Sequence, residues 1–449
     1  MNDLQKIIET VREKADIVDI IGKHVHLEKH GSNFRGLCPF HDDQNPSMSV
    51  SPTKKIFKCF SCNASGNAIS FIEKFKKIPF MEALREVAAT VDVSIEMSQS
   101  ERSFMKNKKY YDLLSDASQF YYFLLNKTTE GKEALTYLEK RGIDQDLIRR
   151  FKIGVASNDQ DLLFKAMREK KHLPVDMQEV GLIRDNKTVY DVFRSRIMFP
   201  ITDLNGHVVG FSGRRYKKND NDAKYINSIE NVVFKKGQIL YNYYEAFQDI
   251  KNSKKVYLFE GFLDVFAAYK VDIFNAVASM GTALTIDQTR AVKRICDHVV
   301  LCYDGDQAGI DATIRAIKLF KEQNIETSVV PLPEGVDPDD ILAKHGKEYL
   351  HQLLRDKAVT AISFLYDVTK KNLVKEDISS VERFKKQVFS YLTMFSSNVM
   401  TEKTLQNMAS ELDISFNALL EDFKKITPSI NEPVQTVYAP IEHKPKKRQ

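Results

Sequence analysis

The chain has 449 residues, 43% of them hydrophobic, and its 66 basic residues nearly balance 61 acidic ones to give a formal net charge of +5. This length predicts two to four compact domains, and so small a net charge excludes binding of a polyanion by bulk charge alone. Five cysteines are too few for a disulfide framework, and no run of about 18 uncharged apolar residues is present to span a membrane.

The chain opens with the segment MNDLQKIIETVREKAD, in which apolar residues recur at helical spacing. Charged residues interrupt it throughout, whereas a signal peptide has a continuous apolar stretch. The sequence therefore predicts a charged amphipathic helix and a cytoplasmic protein that does not associate with membranes.

Two pairs of metal-ligand residues follow. Cys38 and His41 are separated by two residues, as are Cys59 and Cys62, and seventeen residues lie between the pairs. This spacing predicts one zinc ion, because two such pairs supply four ligands at tetrahedral reach. All four ligands come from protein, so the site would be structural and not catalytic. The alternative is four unrelated residues.

Between the pairs, residues 47–52 and 54–60 alternate in polarity as a β-hairpin does. The hairpin would present basic and aromatic side chains, namely Lys54, Lys55, Phe57, Lys58 and Phe60. Such a face can hold single-stranded nucleic acid by charge and stacking. The alternative is a solvated face with two core phenylalanines.

Residues 1–98 are therefore predicted to form a zinc-binding domain, and 99–109 a linker, because the apolar period is lost there. Residues 110–250 are predicted to form an α+β region, with strands joined by a turn at Asp203 to Gly206. Positive charge is concentrated in that region, at Arg194, Arg196, Arg214, Arg215, Lys217, Lys218, Lys224, Lys235 and Lys236. A polyanion held there would be delivered to the segment that follows.

Residues 251–338 alternate between short apolar runs and helical patterns, which predicts a small parallel sheet with strands at 254–260, 276–280, 299–304 and 327–331. Cys296 and Cys302 are expected in its core. Residues 339–427 are helical in pattern, and 428–449 are rich in proline and basic at the end, as in a disordered tail or linker.

Acidic residues follow three of these predicted strands: Glu260, then Asp304 and Asp306 around Gly305, then Asp337 and Asp339. Strand ends meet at one edge of a parallel sheet, so these carboxylates are expected in one pocket. Oxygen ligands suit Mg²⁺ or Mn²⁺, and two such ions can promote phosphoryl transfer. Glu260 would be either a ligand or a proton acceptor. An isolated Asp-Gly-Asp would instead indicate a tight turn.

The order of these motifs resembles the bacterial replicative primases of the DnaG type. CPFH, CFSC and SGN are similar to the zinc-binding domain of that family, RIMFPI, GFSGR and KYINS to its RNA polymerase core, and EGFLDV, SMGTALT, CYDGDQAG and DPDD to its Toprim domain. The resemblance implies an α/β and α+β multidomain protein: an N-terminal zinc-ribbon-like domain, an α+β basic region, a parallel-sheet Toprim domain and a C-terminal helical segment.

The resemblance also implies residue roles. Cys38, His41, Cys59 and Cys62 would bind zinc, and Glu260, Asp264, Asp304 and Asp306 would be catalytic. The magnesium or manganese ligands would be Glu260, Asp304, Asp306, Asp337 and Asp339. Nucleotide or template would be contacted by Arg141, Arg214, Lys224, Tyr225 and Lys236.

The implied activity is DNA-templated synthesis of short RNA primers by a nucleotidyltransferase at the replication fork. The implied ligands are single-stranded DNA, ribonucleoside triphosphates and the RNA–DNA hybrid, bound by a monomer. The family also has a C-terminal domain that docks on the replicative helicase; because this sequence ends in a proline-rich basic segment, we expect that domain to be absent and do not predict helicase binding through it. The alternatives are strand cleavage by a Toprim-type nuclease or topoisomerase, and single-strand binding without catalysis.

Overall fold

The computed structural model describes residues 3–76, 78, 80–93, 99–217, 223–281, 283–395 and 397–426. The chain divides into two compact units, Met1–Lys106 and Asn107–Gln449. The tail predicted at 428–449 lies outside the described residues. No helix among those described is both long enough and apolar enough to cross a bilayer.

The first unit combines an antiparallel sheet, in the order β1-β2-β3-β4-β5, with short amphipathic helices. Its elements are α1 (Asp3–Lys14), α2 (Ile17–Gly22), β1 (Glu28–His30), β2 (Asn33–Gly36), β3 (Met48–Ser51), β4 (Ile56–Cys59), β5 (Ser65–Gly66), α3 (Ala68–Lys76) and α4 (Phe80–Ala89). The hairpin predicted from the alternation is β3 and β4, which pair Val50 with Phe57. Both side chains are fully buried, so this pair fixes which face of the hairpin meets the helices.

The helix α5 (Gln99–Lys127) contains the boundary between the two units. Residues 99–109 were expected to form a linker, and the structure places them in this helix. The segment lacks regularly spaced apolar residues, so its sequence gives no sign that it packs against a core. It can still form a helix, because it has no proline or glycine and its glutamine, glutamate and lysine residues favour helix.

The second unit begins with an α+β region whose four-stranded antiparallel sheet has the order β11-β10-β9-β6. Its elements are α6 (Thr129–Lys140), α7 (Gln145–Arg150), β6 (Gly154–Ala156), α8 (Leu162–Glu169), α9 (Pro174–Glu179), β7 (Ile183–Asn186), β8 (Thr188–Asp191), β9 (Arg196–Thr202), β10 (Val208–Arg215) and β11 (Tyr225–Asn227). The predicted turn joins β9 to β10: the Asp203 carboxylate accepts from the backbone of Asn205 and His207, and Gly206 has φ of +88°.

The region that follows carries the predicted parallel sheet. Its elements are α10 (Tyr243–Ser253), β12 (Lys255–Phe259), α11 (Phe262–Tyr269), β13 (Ala276–Ala278), α12 (Ile286–Lys293), β14 (His298–Cys302), α13 (Gln307–Glu322) and β15 (Glu326–Val329). The chain continues through α14 (Pro338–His345), α15 (Lys347–Asp356), β16 (Val359–Thr360), α16 (Ala361–Lys370), α17 (Ile378–Phe395), α18 (Asn398–Leu412) and α19 (Phe416–Ile426).

The sheet order is β13-β12-β14-β15-β16, with β12 to β15 parallel and β16 antiparallel at the edge. Hydrophobic side chains cover both faces of β12: Tyr257 and Phe259 pack into one core, and Val256 and Leu258 into another. A sheet buried on both faces explains the continuous apolar runs in the sequence. Cys296 and Cys302 are buried as predicted.

Candidate active site

The four predicted zinc ligands lie together in the first unit. Their ligand atoms, from Cys38, His41, Cys59 and Cys62, are all within 4.8 Å of one another. The backbone N–H groups of Ser61 and Cys62 donate to Cys59 Sγ at 3.3 Å. Burial opposes ionisation of Cys59, but the hydrogen bonds to its sulfur, led by that from the Cys62 backbone, outweigh it and lower the pKa of the thiol to about 6, whereas burial raises the pKa of Cys38 to about 12. A thiolate is the form that binds zinc, so the cluster fits a structural zinc ion.

A supporting shell around this cluster was not predicted from the sequence. The Asp43 carboxylate accepts from the backbone of Cys38 at 2.7 Å and from the Ser47 hydroxyl at 2.6 Å. The same carboxylate lies 3.5 Å from His41 Nε2, while Nδ1 of that ring faces Cys59 Sγ at 4.0 Å. Asp43 therefore orients the histidine so that Nδ1 points toward the metal position, the usual task of a carboxylate behind a ligand.

The hairpin face differs from the expectation at one residue. Phe57 is fully buried and belongs to the core, because it alternates with Lys58 on β4 and faces inward with Cys59. Phe60 lies beyond the strand and is 66% exposed. Lys58 Nζ is 5.6 Å from its ring centroid. The exposed aromatic and basic surface is therefore centred on Phe60 and Lys58.

In the second unit the acidic residues gather at the carboxyl edge of the parallel sheet. Glu260 directly follows β12, Asp304 lies just beyond β14, and Asp337 caps the N-terminus of α14. They border a cavity of about 600 Å³, lined by Arg141, Ser212, Lys224, Tyr225, Asn227, Lys236, Glu260, Gly261, Phe262, Leu263, Asp264, Met280, Gly281, Asp304, Asp337, Asp339 and Asp340. A Cβ at Gly305 would overlap the Pro333 carbonyl, so the turn after Asp304 requires glycine.

The carboxylates of this cavity disfavour one another's ionisation. Burial, and then the neighbouring charges of Glu260 and Asp337, raise the pKa of Asp304 to about 7. Burial also raises the pKa of Glu260. Glu260 Oε1 and Asp304 Oδ1 are buried and have no hydrogen-bond partner among the described residues. Two orphaned carboxylate oxygens beside a cavity fit a hard divalent cation, which would satisfy both and relieve the repulsion.

Two other predicted acidic residues have structural contacts. Asp264 is 5% exposed, and its carboxylate accepts from the backbone N–H of Gly261 at 3.2 Å, which caps α11. Burial raises the pKa of Asp264. Asp306 caps α13 by accepting from Gly309 at 2.8 Å and is not among the residues that line the cavity.

Basic residues line the same cavity. Arg141, Lys224 and Lys236 line it together with Tyr225. Arg141 Nη2 lies 3.1 Å from Asp339 Oδ2. The cavity therefore holds cationic and anionic side chains, an arrangement that can bind a metal ion and a phosphate together.

Two arginines of the predicted basic face are buried instead. Arg196 is 4% exposed and donates to the Gly213 carbonyl at 3.1 Å. Arg214 is 6% exposed, and its guanidinium lies 5.5 Å from the ring centroid of Tyr225 and 5.7 Å from that of Tyr137. Both arginines lie on strands whose two faces are covered by other residues, so their side chains pack inside the fold. Arg214 supports Tyr225 and does not line the cavity.

Three family models match the chain. Residues 4–103 match the CHC2 zinc finger, residues 120–247 the N-terminal domain of the DNA primase catalytic core, and residues 257–342 a Toprim-like domain. The DNA primase of Enterococcus faecalis is 38% identical over 440 residues, which cover 94% of this chain and 69% of that protein. The DNA primase of Listeria monocytogenes is 35% identical over 433 residues, with the same two shares.

The chain is also similar to solved structures of primases. A crystal structure of the Aquifex aeolicus primase, containing its zinc-binding and RNA polymerase domains, is similar with a TM-score of 0.58 and 34% identity over 92% of this chain and 99% of that one. The structure of a DnaG primase catalytic domain bound to single-stranded DNA has a TM-score of 0.61 and 30% identity over 70% of this chain and 99% of that one.

Proposed function

This chain belongs to the DnaG-type DNA primases, nucleotidyltransferases that synthesise RNA primers, and we propose how its residues divide that work. One observation carries the proposal: carboxylates and cations line a single cavity at the carboxyl edge of the parallel sheet. We assign residues 1–98 to zinc binding, 110–250 and 339–427 to the polymerase core, and 251–338 to the Toprim domain, with 99–109 joining the first two and 428–449 a tail.

The carboxylates would hold the catalytic metal. Glu260, Asp304, Asp337 and Asp339 are the proposed ligands of Mg²⁺ or Mn²⁺, and Asp306 would add negative charge from the α13 cap. When bound, such ions neutralise charge on the leaving pyrophosphate and favour ionisation of the attacking hydroxyl. Glu260 would act as a ligand or as the acceptor of the hydroxyl proton. Asp264 would hold the turn that carries Glu260, because it caps α11 through Gly261.

The cationic side of the cavity would hold the nucleotide. Arg141, Lys224 and Lys236 are the proposed contacts of the triphosphate or template backbone, and Tyr225 the proposed contact of a base or sugar. Arg214 would act through Tyr225, since its guanidinium lies 5.5 Å from the centroid of that ring and Arg214 does not line the cavity. Tyr225 in turn packs edge-on against Phe262, two residues after Glu260.

Single-stranded DNA is the proposed template, as in the DnaG structure bound to it. Phe60 and Lys58 of the first unit would grip it by stacking and charge. Ribonucleoside triphosphates are the proposed substrates and an RNA–DNA hybrid the proposed product, handled by a monomer at the replication fork in the cytoplasm.

The test of this assignment is Asp304→Ala in a dinucleotide synthesis assay with single-stranded template. The variant should form no product, because a ligand at the centre of the acidic cluster is lost, while its affinity for the template stays that of the wild type. Undiminished synthesis would overturn the assignment. Relaxation of supercoiled DNA by the wild-type chain would instead favour strand cleavage.

A further inference from the structure

Two of the residues that line the cavity form an ion pair. Arg141 Nη2 lies 3.1 Å from Asp339 Oδ2, and the two side chains are 38% and 24% exposed. Arg141 is a proposed phosphate contact, and Asp339 a proposed metal ligand. Each of these two side chains is therefore the ion-pair partner of the other.

The backbone on both sides of the pair is held in place. Arg141 is the C-cap residue of α6, and its carbonyl accepts from Lys270 Nζ at 3.3 Å. Asp339 lies in the first turn of α14, capped by the Asp337 carboxylate, which accepts from the backbone of Asp340 at 2.6 Å. The ion pair can therefore open by rotation of its two side chains, without movement of either helix.

We propose that the Arg141–Asp339 pair couples metal binding to nucleotide binding, an inference that rests on the proposed function. A metal ion at Asp339 releases the Arg141 guanidinium to a phosphate, and a phosphate at Arg141 releases the Asp339 carboxylate to the metal. Each ligand removes a competitor of the other, so the coupling is positive and reciprocal. The cavity then favours the metal–nucleotide complex over either ligand alone.

The size of the effect follows from the exposure of the pair. A partly exposed ion pair changes a binding constant by roughly 1.4- to 5-fold. In the wild type, the binding of the metal alone or of the nucleotide alone would be weaker by about that factor.

The first measurement is Mn²⁺ binding without nucleotide, followed by electron paramagnetic resonance. Arg141→Gln should bind Mn²⁺ more tightly than the wild type, by up to about fivefold. The control is Lys236→Gln, which removes a positive charge from the same cavity without opening the Arg141–Asp339 pair. Equal tightening in the two variants would mean that only the net charge matters, and would overturn the coupling.

The reciprocal measurement is ATP binding in EDTA. Asp339→Asn frees Arg141 and should tighten metal-free ATP binding more than Asp340→Asn, which removes a negative charge at the next position. Equal affinities in these two variants would also overturn the proposal. Neither measurement needs catalysis, so a failed coupling is distinguishable from a failed polymerase assignment: in the first case the wild type still makes primers, and in the second it makes none.

Discussion

Replacing Asp304 by asparagine should stabilise the metal-free protein while abolishing its proposed activity. Burial, together with the charges of Glu260 and Asp337, raises the pKa of the Asp304 carboxyl from 3.8 to about 7. The ionised carboxylate is therefore disfavoured in the folded state. An asparagine keeps the shape and removes the charge.

The size of the expected stabilisation follows from this change in pKa. Raising a pKa from 3.8 to about 7 corresponds to roughly 4 kcal/mol. The side chain is partly exposed, and solvent screening reduces this to about 1–2 kcal/mol. The folded pKa is raised, so the destabilisation is absent below pH 3.8, grows as the pH rises, and is complete above about pH 7. The variant should thus gain stability relative to the wild type over that window.

The assay is denaturant unfolding in EDTA at pH 4 and pH 8. Asp304→Asn should match the wild type at pH 4 and exceed it by about 1–2 kcal/mol at pH 8. Added Mg²⁺ should then stabilise the wild type more than the variant, because binding to the folded state raises its stability. A variant less stable than the wild type at pH 8 would refute the reasoning that these carboxylates repel one another.

Three further predictions concern the remaining contacts. Chelation of zinc should lower the unfolding midpoint of the first unit and leave the transition of the second unit unchanged, as followed by calorimetry; a shift of both would contradict a local structural role. Phe60→Ala should weaken single-stranded DNA binding about tenfold in a fluorescence anisotropy titration, whereas Ile56→Ala, on the same hairpin, should not, and equal losses would argue against stacking. Arg214→Lys should lower kcat for primer synthesis about fivefold or more without changing template affinity, since lysine cannot stack between two rings. Tyr137→Phe, which keeps its ring, should retain the wild-type rate, and a loss of template affinity in Arg214→Lys would indicate direct contact instead.

The zinc cluster and the parallel sheet could be predicted because their signals are local. The two pairs of Cys and His ligands have a spacing that suits one tetrahedral ion, and three of the four predicted strands are short apolar runs followed by acidic residues. The same reasoning predicted that the carboxylates follow strand ends, and the parallel register brings Glu260 and Asp304 to one edge.

The burial of Arg196 and Arg214 could not be predicted from the pattern. Their strands are covered on both faces, so the alternation of side chains carries no information about which residue is exposed. The inward position of Phe57 could have been predicted, because Phe57 alternates with Lys58 along the strand and shares a face with Cys59. The pairing of Arg141 with Asp339 joins residues 198 positions apart, and no local pattern connects them.

The most direct test of the central claim is product analysis after incubation of the wild-type chain with single-stranded DNA, labelled ribonucleotides and Mg²⁺. We predict short RNA complementary to the template, with one pyrophosphate released for each bond formed and no product in EDTA. A template strand that is cleaved, or labelled ribonucleotides that remain unincorporated, would contradict the account.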